Sequence, residues 1–231
     1  MSAGPDARIY PLGDRSLVVS FGDDIDLDTH REVRTLADHL ERSPPGAMLE
    51  YIPAFTTVTV LFDPLGTTYQ AFEAEIRALL AGRVDGERDA GRVVEIPVCY
   101  GHELGPDLDF VARHNGLSAE EVVRIHHEPE YLVYMIGFSP GFPYLGGMSS
   151  RIAAPRRESP RKAIPAGTVG IAGQQTGVYP IETPGGWQLI GRTPLRLFRP
   201  ELSPPSLLRV GDAVRFEAIS RDAYLEWDDD R

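Results

Sequence analysis

Glycine, proline and aromatic residues are concentrated between positions 131 and 194. Two blocks dominate this stretch, GFSPGFPYLGGM (137–148) and PAGTVGIAGQQTGVYPIETPGGWQLIGRTP (165–194), and residues 137–193 hold 11 of the chain's 23 glycines. Because glycine weakens the interior of a strand, this density indicates tight turns, bulges or close backbone approach. Aromatic side chains next to such backbone are typical of a concave recognition surface, so we expect the functional site here. They are Phe138, Phe142, Tyr144, Tyr179 and Trp187.

Length and charge exclude several classes of protein. The 231 residues suffice for one large domain or two small ones. The formal net charge is −11 with no basic run, which disfavours nucleic acid and anionic membranes as partners. The first residues lack the features of a signal peptide, and no apolar run approaches the length of a membrane-spanning helix. Cys99 is the only cysteine, so we expect a cytoplasmic protein without internal disulfides, and this cysteine to be a small buried residue.

Residues 1–98 predict a small α+β domain. The strand-like runs are 16–21, 48–52, 57–62 and 92–98, and apolar residues at helical spacing stand at 33, 36, 37 and 40 and again at 72, 76, 79 and 80. The order β-α-β-β-α-β is that of ferredoxin-like domains. The polar stretch 83–91 is either a linker or a loop before the last strand.

Residues 99–231 predict a second, mainly β domain that opens with two helices. The helices span 106–115 and 118–127, and the second begins with a capping box from Ser118 to Glu121. Short strand-like runs follow at 131–136, 168–172, 187–191, 195–198 and 213–218, punctuated by glycine and proline. Many short strands with close turn signals favour a β-barrel or sandwich, and a barrel fed by the two helices fits best. The acidic tail 228–230 is expected to be a solvated end.

The glycine-rich blocks, together with the Pro-Arg pair at 155–156, resemble the signatures of the family named after allophanate hydrolase subunit 1. The family includes the B component of the prokaryotic three-component 5-oxoprolinase, Kip-type inhibitors of histidine kinases and a segment of urea carboxylase. The resemblance covers almost the whole chain and is strongest from about residue 95 to 216. It implies a ferredoxin-like N-terminal domain, a cyclophilin-like β-barrel C-terminal domain and a larger partner subunit of related fold.

Two short motifs look catalytic but lack what their chemistry requires. Gly137 to Gly141 matches the G-x-S-x-G pattern of serine hydrolases, but Pro140 has no N–H to serve the oxyanion hole, so we expect a turn. His126 and His127 suggest a metal, yet adjacent helical residues point about 100° apart and no second cluster supplies further ligands. We therefore predict no metal site and assign no catalytic residue.

Several polar residues are candidates for substrate binding. Gly173 belongs to a segment that either turns backbone amides to a ligand or builds a bulged hairpin, and Gln174 has the paired donor and acceptor to orient an amide or lactam. Arg156 and Arg192 suit a carboxylate, although a surface ion pair explains Arg156 equally well. His127 either lines a pocket or only favours the helix dipole. The aromatics Tyr179 and Trp187 suit a pocket wall, a core or a subunit interface.

Three functions fit the resemblance. The favoured one is a subunit of an ATP-dependent 5-oxoprolinase that opens 5-oxo-L-proline to L-glutamate with a larger paralogous subunit and a third hydrolase subunit. The segment 170–177 lacks the G-K-[ST] ending of a phosphate loop, so ATP is expected for the complex and not for this chain alone, which we expect to be inactive. The alternatives are an inhibitor of a sensor histidine kinase and a carboxyltransferase component of a urea carboxylase pathway.

Overall fold

The chain divides into two compact units, Met1–Ala90 and Gly91–Arg231. The structure is a computed structural model, and it describes residues 7–24, 27–82 and 92–227. The possible linker at 83–91 and the acidic tail at 228–230 lie outside the described residues.

The described residues of the first unit form one antiparallel sheet and two helices. Its elements are β1 (Arg8–Pro11), β2 (Ser16–Ser20), α1 (Leu27–Arg42), β3 (Met48–Pro53), β4 (Thr57–Phe62) and α2 (Tyr69–Ala81). The strand order is β1-β2-β4-β3. Both helices predicted from apolar spacing are present, and α2 begins where the Thr68 hydroxyl accepts a bond from the Ala71 N–H. None of the described helices is both long enough and apolar enough to cross a membrane.

The core of the first unit lies between the sheet and the helices. Every second residue of β4 is buried, namely Val58, Val60 and Phe62, as a period of two predicts for a sheet with one covered face. The Phe62 ring stacks on that of Phe72 in α2 with centroids 4.9 Å apart. Each such side chain contributes about 1.5–3 kcal/mol through the area it removes from water.

The predicted β-α-β-β-α-β order is wrong in its last strand. The sheet position beside β2 is occupied by β1, which forms a hairpin with it, whereas residues Val93–Tyr100 form β5 in the second unit. A hairpin closes a short loop at little entropic cost, so a nearby run can take an edge position. The first domain therefore does not extend to residue 98 as predicted.

The second unit is built around a closed barrel. Its elements are β5, α3 (Leu108–Asn115), α4 (Ala119–His127), β6 (Glu130–Ile136), β7 (Pro143–Gly146), a 3-10 turn (Ser150–Ile152), β8 (Arg161–Ile164), β9 (Thr168–Ala172), β10 (Gln175–Val178), β11 (Thr183–Gly185), β12 (Gln188–Arg192), β13 (Ala213–Ala218) and α5 (Arg221–Leu225). The barrel order is β10-β7-β6-β13-β5-β12-β9, and β8 pairs with β11 in a separate ribbon. The predicted barrel with two preceding helices is confirmed.

Strand β5 is the first strand of this unit, and it lies beside the last strand, β13. It pairs in parallel with β13 from Val93↔Ala213 to Val98↔Ala218. Helix α4 begins with the predicted capping box, in which the Ser118 hydroxyl and the Glu121 carboxylate each accept a backbone N–H. The strand predicted at 195–198 is wrong, because that segment makes only an isolated bridge from Phe198.

Two glycines of the second unit allow aromatic rings to touch the backbone. A Cβ atom on Gly177 would lie 2.9 Å from Cζ of Phe142. A Cβ atom on Gly185 would lie 2.5 Å from the hydroxyl oxygen of Tyr179. Both distances are too short for non-bonded atoms in a close-packed interior. Part of the glycine concentration in the sequence therefore serves ring packing.

Replacing Gly185 with alanine should destabilise the second unit by about 1–3 kcal/mol, because the added methyl group must displace the Tyr179 ring. The neighbouring Gly186→Ala is the matched control, since its Cβ would meet Pro160 at an ordinary 3.7 Å. Urea unfolding followed by tryptophan fluorescence measures both free energies. Equal effects from the two substitutions would contradict the ring-packing role of Gly185.

Candidate functional site

Aromatic rings meet around Phe142 in the second unit. Its ring centroid lies 5.1 Å from Tyr144, 5.4 Å from Phe138, 5.5 Å from Tyr179 and 5.6 Å from Trp187. We call these residues the aromatic cluster. Phe142, Tyr179 and Trp187 are buried, whereas Phe138 is 64% exposed. The cluster therefore belongs to the protein core at Phe142, Tyr179 and Trp187, and it reaches the surface at Phe138.

Phe138 is presented by a turn that backbone hydrogen bonds hold closed. The Gly137 N–H donates to the Phe142 carbonyl at 3.0 Å, and the Phe142 N–H donates to the Ser139 carbonyl at 3.0 Å. Phe138 has a φ of +66°, a left-handed conformation that costs a side-chain-bearing residue about 1–2 kcal/mol. Such strain combined with exposure is typical of functional positions.

The predicted turn at Ser139 is confirmed, and the structure gives this serine no base. The segment leads into strand β7 and not into a helix. The Ser139 hydroxyl oxygen is buried without a hydrogen-bond partner among the described residues. The serine therefore has none of the contacts that activate a nucleophile.

Arg156 extends the aromatic cluster with a positive charge. Its guanidinium carbon lies 6.0 Å from the centroid of the Trp187 ring, within the range of a cation–π contact. The segment is held in place because the Arg157 N–H donates to the Gly186 carbonyl at 2.8 Å, and the Gln188 amide to the Pro155 carbonyl at 2.8 Å. Among the described residues, Arg156 has no ion pair.

The two arginines near Arg156 share one carboxylate. Arg157 and Arg161 contact Oδ1 of Asp107 at 3.3 and 2.8 Å. The other oxygen of Asp107 accepts the Leu189 N–H at 2.7 Å. The ion pairs at this position are therefore formed by Arg157 and Arg161, and not by Arg156 as the alternative interpretation expected.

Gly173 and Gln174 border the same region. Ala154 and Gly173 exchange both backbone hydrogen bonds, at 3.2 and 2.7 Å, so the β9–β10 turn is fixed beside the Arg156 segment. Gly173 has a φ of +58°, which suits the bulged hairpin considered from the sequence. Gln174 is exposed at the tip of that turn. The segment is a hairpin and not a phosphate loop.

Burial fixes the protonation of Tyr179 within the cluster. Its desolvation raises the pKa of the hydroxyl to about 12, opposed in part by the charge of Arg156. The hydroxyl is therefore protonated at neutral pH.

His127 lies away from the aromatic cluster, in a cavity of about 550 Å³. That cavity is bounded by the loop after β5 and by helices α3 and α4, and it includes His102, Glu120 and Arg124. The structure places His127 in the lining of this cavity and does not bring it together with the aromatic cluster.

Arg192 lies in a second cavity, of about 530 Å³. Its Nε donates to the Ala166 carbonyl at 2.7 Å. None of the aromatic cluster residues lines this cavity. The predicted site residues therefore fall into three places and not one.

A buried polar chain centred on His126 was not predicted from the sequence. Its Nδ1 lies 2.8 Å from the Tyr100 hydroxyl, and its Nε2 lies 2.8 Å from Oγ1 of Thr176. The Thr176 hydroxyl donates to the Gly170 carbonyl, so it accepts the proton on Nε2, and Nδ1 accepts from Tyr100. Desolvation, aided by the nearby His127, lowers the pKa of His126 to about 3.

His126 is therefore a neutral, fully hydrogen-bonded residue and not a metal ligand. Among the described residues, no group of three or more His, Cys, Asp or Glu side chains is placed to hold a metal ion. Cys99 is buried, and burial raises the pKa of its thiol.

The second unit is a closed, mixed β-barrel with an aromatic and arginine-bearing surface. A family model described as "Carboxyltransferase domain, subdomain C and D" matches residues 7–208. The chain belongs to this family, which confirms the resemblance found in the sequence.

Three relatives of similar length are named as the B component of 5-oxoprolinase. The chain is 52% identical over 227 residues to the B component of 5-oxoprolinase from Bacillus subtilis (strain 168), covering 94% of this chain and 95% of that protein. It is 44% identical over 211 residues to the protein of the same name from Escherichia coli O157:H7, with coverage of 91% and 95%. The crystal structure of TTHA0988 matches with a TM-score of 0.80 and 37% identity, over 89% of this chain. This chain spans only 40% of that protein.

Stability should fall as the pH falls below about 6.5, because His126 gains a proton in the unfolded chain but stays neutral in the fold until about pH 3. Between pH 7 and pH 5 this residue alone should remove about 2 kcal/mol, since each pKa unit is worth about 1.4 kcal/mol. Urea unfolding at both pH values measures the change, and His126→Gln should abolish this share.

The native protein provides an independent check. The ring resonances of His126 in a two-dimensional NMR spectrum should not titrate between pH 8 and pH 5, because the folded ring is held neutral. A titration midpoint near 6.5 for this ring would contradict the buried hydrogen-bonded chain.

Proposed function

We propose that this protein is a subunit of an ATP-dependent 5-oxoprolinase complex that opens 5-oxo-L-proline to L-glutamate. The observation that supports this most is the 52% identity to a 5-oxoprolinase component over nearly the full length of both chains. The partners in this proposal are a larger subunit of related fold and a third hydrolase subunit. We further propose a cytoplasmic location and a cyclophilin-like fold for the barrel.

The chemistry explains why several components take part. Water adds to the lactam carbonyl, the carbon–nitrogen bond breaks, and the nitrogen leaves as an amine after taking a proton. An unstrained lactam resists this reaction, and coupling to ATP hydrolysis supplies the driving force. We place ATP binding at the level of the complex, because the glycine-rich segment 170–177 of this chain forms a hairpin around Gly173.

The surface around the aromatic cluster is the proposed recognition site. Gln174 offers an amide donor and acceptor that match those of a lactam. Arg156 brings a guanidinium without an ion pair among the described residues, and Phe138 an exposed ring. Together they suit a small, polar, amide-containing ligand.

A carboxyltransferase role is the second candidate, and the description of the family model favours it. Its reaction would depend on bicarbonate and on a biotin carrier, which ring opening of 5-oxo-L-proline does not require. Inhibition of a histidine kinase would need only a protein surface and no small-molecule turnover.

Glutamate release from 5-oxo-L-proline tests the proposal directly. The full set of three subunits with ATP should produce glutamate, and omission of this chain or of ATP should abolish it. This chain alone should be inactive. If well-folded complete mixtures release no glutamate, the function is wrong; bicarbonate- and biotin-dependent transfer would then support the second candidate.

Gln174→Ala should lower kcat/KM of the complex about tenfold to a hundredfold, because the substrate amide would lose its hydrogen bonds to this side chain. Gln70→Ala is the matched control, since that glutamine is exposed on α2 of the first unit. Gel filtration should show that both variants still assemble. Unchanged kcat/KM for Gln174→Ala would remove this residue from the recognition site.

A further inference from the structure

The β9–β10 hairpin carries or supports several parts of the proposed recognition site. Gln174 lies in its turn. The Phe142 ring packs against Gly177 of β10, and the Trp187 side chain packs against Gly170 of β9. A shift of this hairpin would therefore displace Gln174 and two rings of the aromatic cluster together.

Strand β10 has a short ladder on the side that faces β7. Among the described residues, β7 pairs with β10 only at Thr176↔Leu145. On its other side, β10 pairs with β9 from Gln175↔Ala172 to Val178↔Val169. A strand with so little backbone pairing on one side depends on its side-chain contacts for its position.

Thr176 makes such a contact from the buried side of the hairpin. Its side chain is fully buried, and its hydroxyl donates to the Gly170 carbonyl at 3.1 Å. The same hydroxyl accepts the proton on Nε2 of His126 at 2.8 Å. One hydroxyl group therefore joins both strands of the hairpin to helix α4.

His126 is a fixed partner for this hydroxyl. Its Nδ1 lies 2.8 Å from the Tyr100 hydroxyl, and its backbone carbonyl accepts from the Tyr131 hydroxyl at 2.6 Å. Its ring centroid lies 4.6 Å from that of Phe216. Because the ring is held at both nitrogens and on one face, it offers Thr176 a donor in one place. Groups that bind a ligand need support of this kind, since small displacements from the productive geometry weaken binding.

We propose that Thr176 is a positioning residue for substrate recognition. Its hydroxyl, held by His126, fixes the β9–β10 hairpin so that Gln174 and the rings beside it lie where they contact the ligand. The inference rests on the proposed function, in which Gln174 binds the substrate amide. Thr176 is fully buried and does not touch the ligand itself, so its effect falls on binding and not on the chemical step.

Thr176→Val tests the proposal, because it removes the hydroxyl with little change of shape. In the assembled complex it should raise KM for 5-oxo-L-proline about threefold to tenfold, the value of one lost hydrogen bond, and leave kcat within about twofold. Thr176→Ser keeps the hydroxyl and should bring KM back to within about twofold of the parent value. An unchanged KM in Thr176→Val, or no recovery in Thr176→Ser, would overturn the positioning role.

Thr168→Val is the matched control. Thr168 is also buried, and its hydroxyl donates to the Pro165 carbonyl at 2.7 Å, but it lies at the end of the hairpin away from the turn. Both valine variants lose one buried hydrogen bond, so both should lower the melting temperature by about 2–4 °C. Only Thr176→Val should raise KM. An equal rise in both would mean that the effect comes from general destabilisation, and the proposal would be wrong.

Hydrogen exchange of the full chain separates this proposal from the proposed function. The Gly173 N–H donates to the Ala154 carbonyl at 2.7 Å, and it should exchange about threefold to tenfold faster in Thr176→Val than in Thr168→Val. Equal exchange would overturn the positioning role. If this difference is present but the complete complex of the parent chain releases no glutamate, the proposed function is wrong and Thr176 still positions the hairpin.

Discussion

The contact of aromatic rings with bare backbone sets the architecture of the second unit. A ring can lie against a strand only where that strand has no side chain, and Gly177 and Gly185 provide such places for Phe142 and Tyr179. Those rings in turn support Trp187, over which Arg156 lies. The positions of Trp187 and Arg156 therefore depend on the space that Gly177 and Gly185 leave for the rings.

A single buried carboxylate organises the positive charge around this surface. Asp107 is 6% exposed and accepts from two arginines and from the backbone of β12. It therefore ties the start of α3 to β8 and to the segment that contains Arg156. Removing a buried charge that is so fully paired would leave its partners uncompensated. Arg156 forms no ion pair with a described residue, so its guanidinium stays available at this surface.

Local patterns predicted the elements, but long-range pairing decided their positions. Helices α1 and α4 follow from periodicity and capping, which involve neighbouring residues only. The partner of β5 stands 120 residues away in β13, and no local pattern predicts that choice. Arg192 lies five residues beyond Trp187, roughly 16 Å along an extended strand, so it reaches a different cavity. The burial of His126 was not predicted. The spacing of Val122, Ile125 and His126 on one face of α4 is the pattern that indicates it.

The described residues of this chain contribute recognition more than proton transfer. The two nitrogens of His126 are both used in hydrogen bonds within the fold, and its ring is kept neutral. The Ser139 hydroxyl has no described partner, and Pro140 removes the backbone donor that an oxyanion needs. In contrast, the side chains of Gln174, Arg156 and Phe138 are exposed. Arg156 lies over the Trp187 ring, and Phe138 is held in a left-handed backbone conformation. A surface that binds without its own base needs chemistry from another source, which is the physical reason to expect this protein to act as one subunit among several.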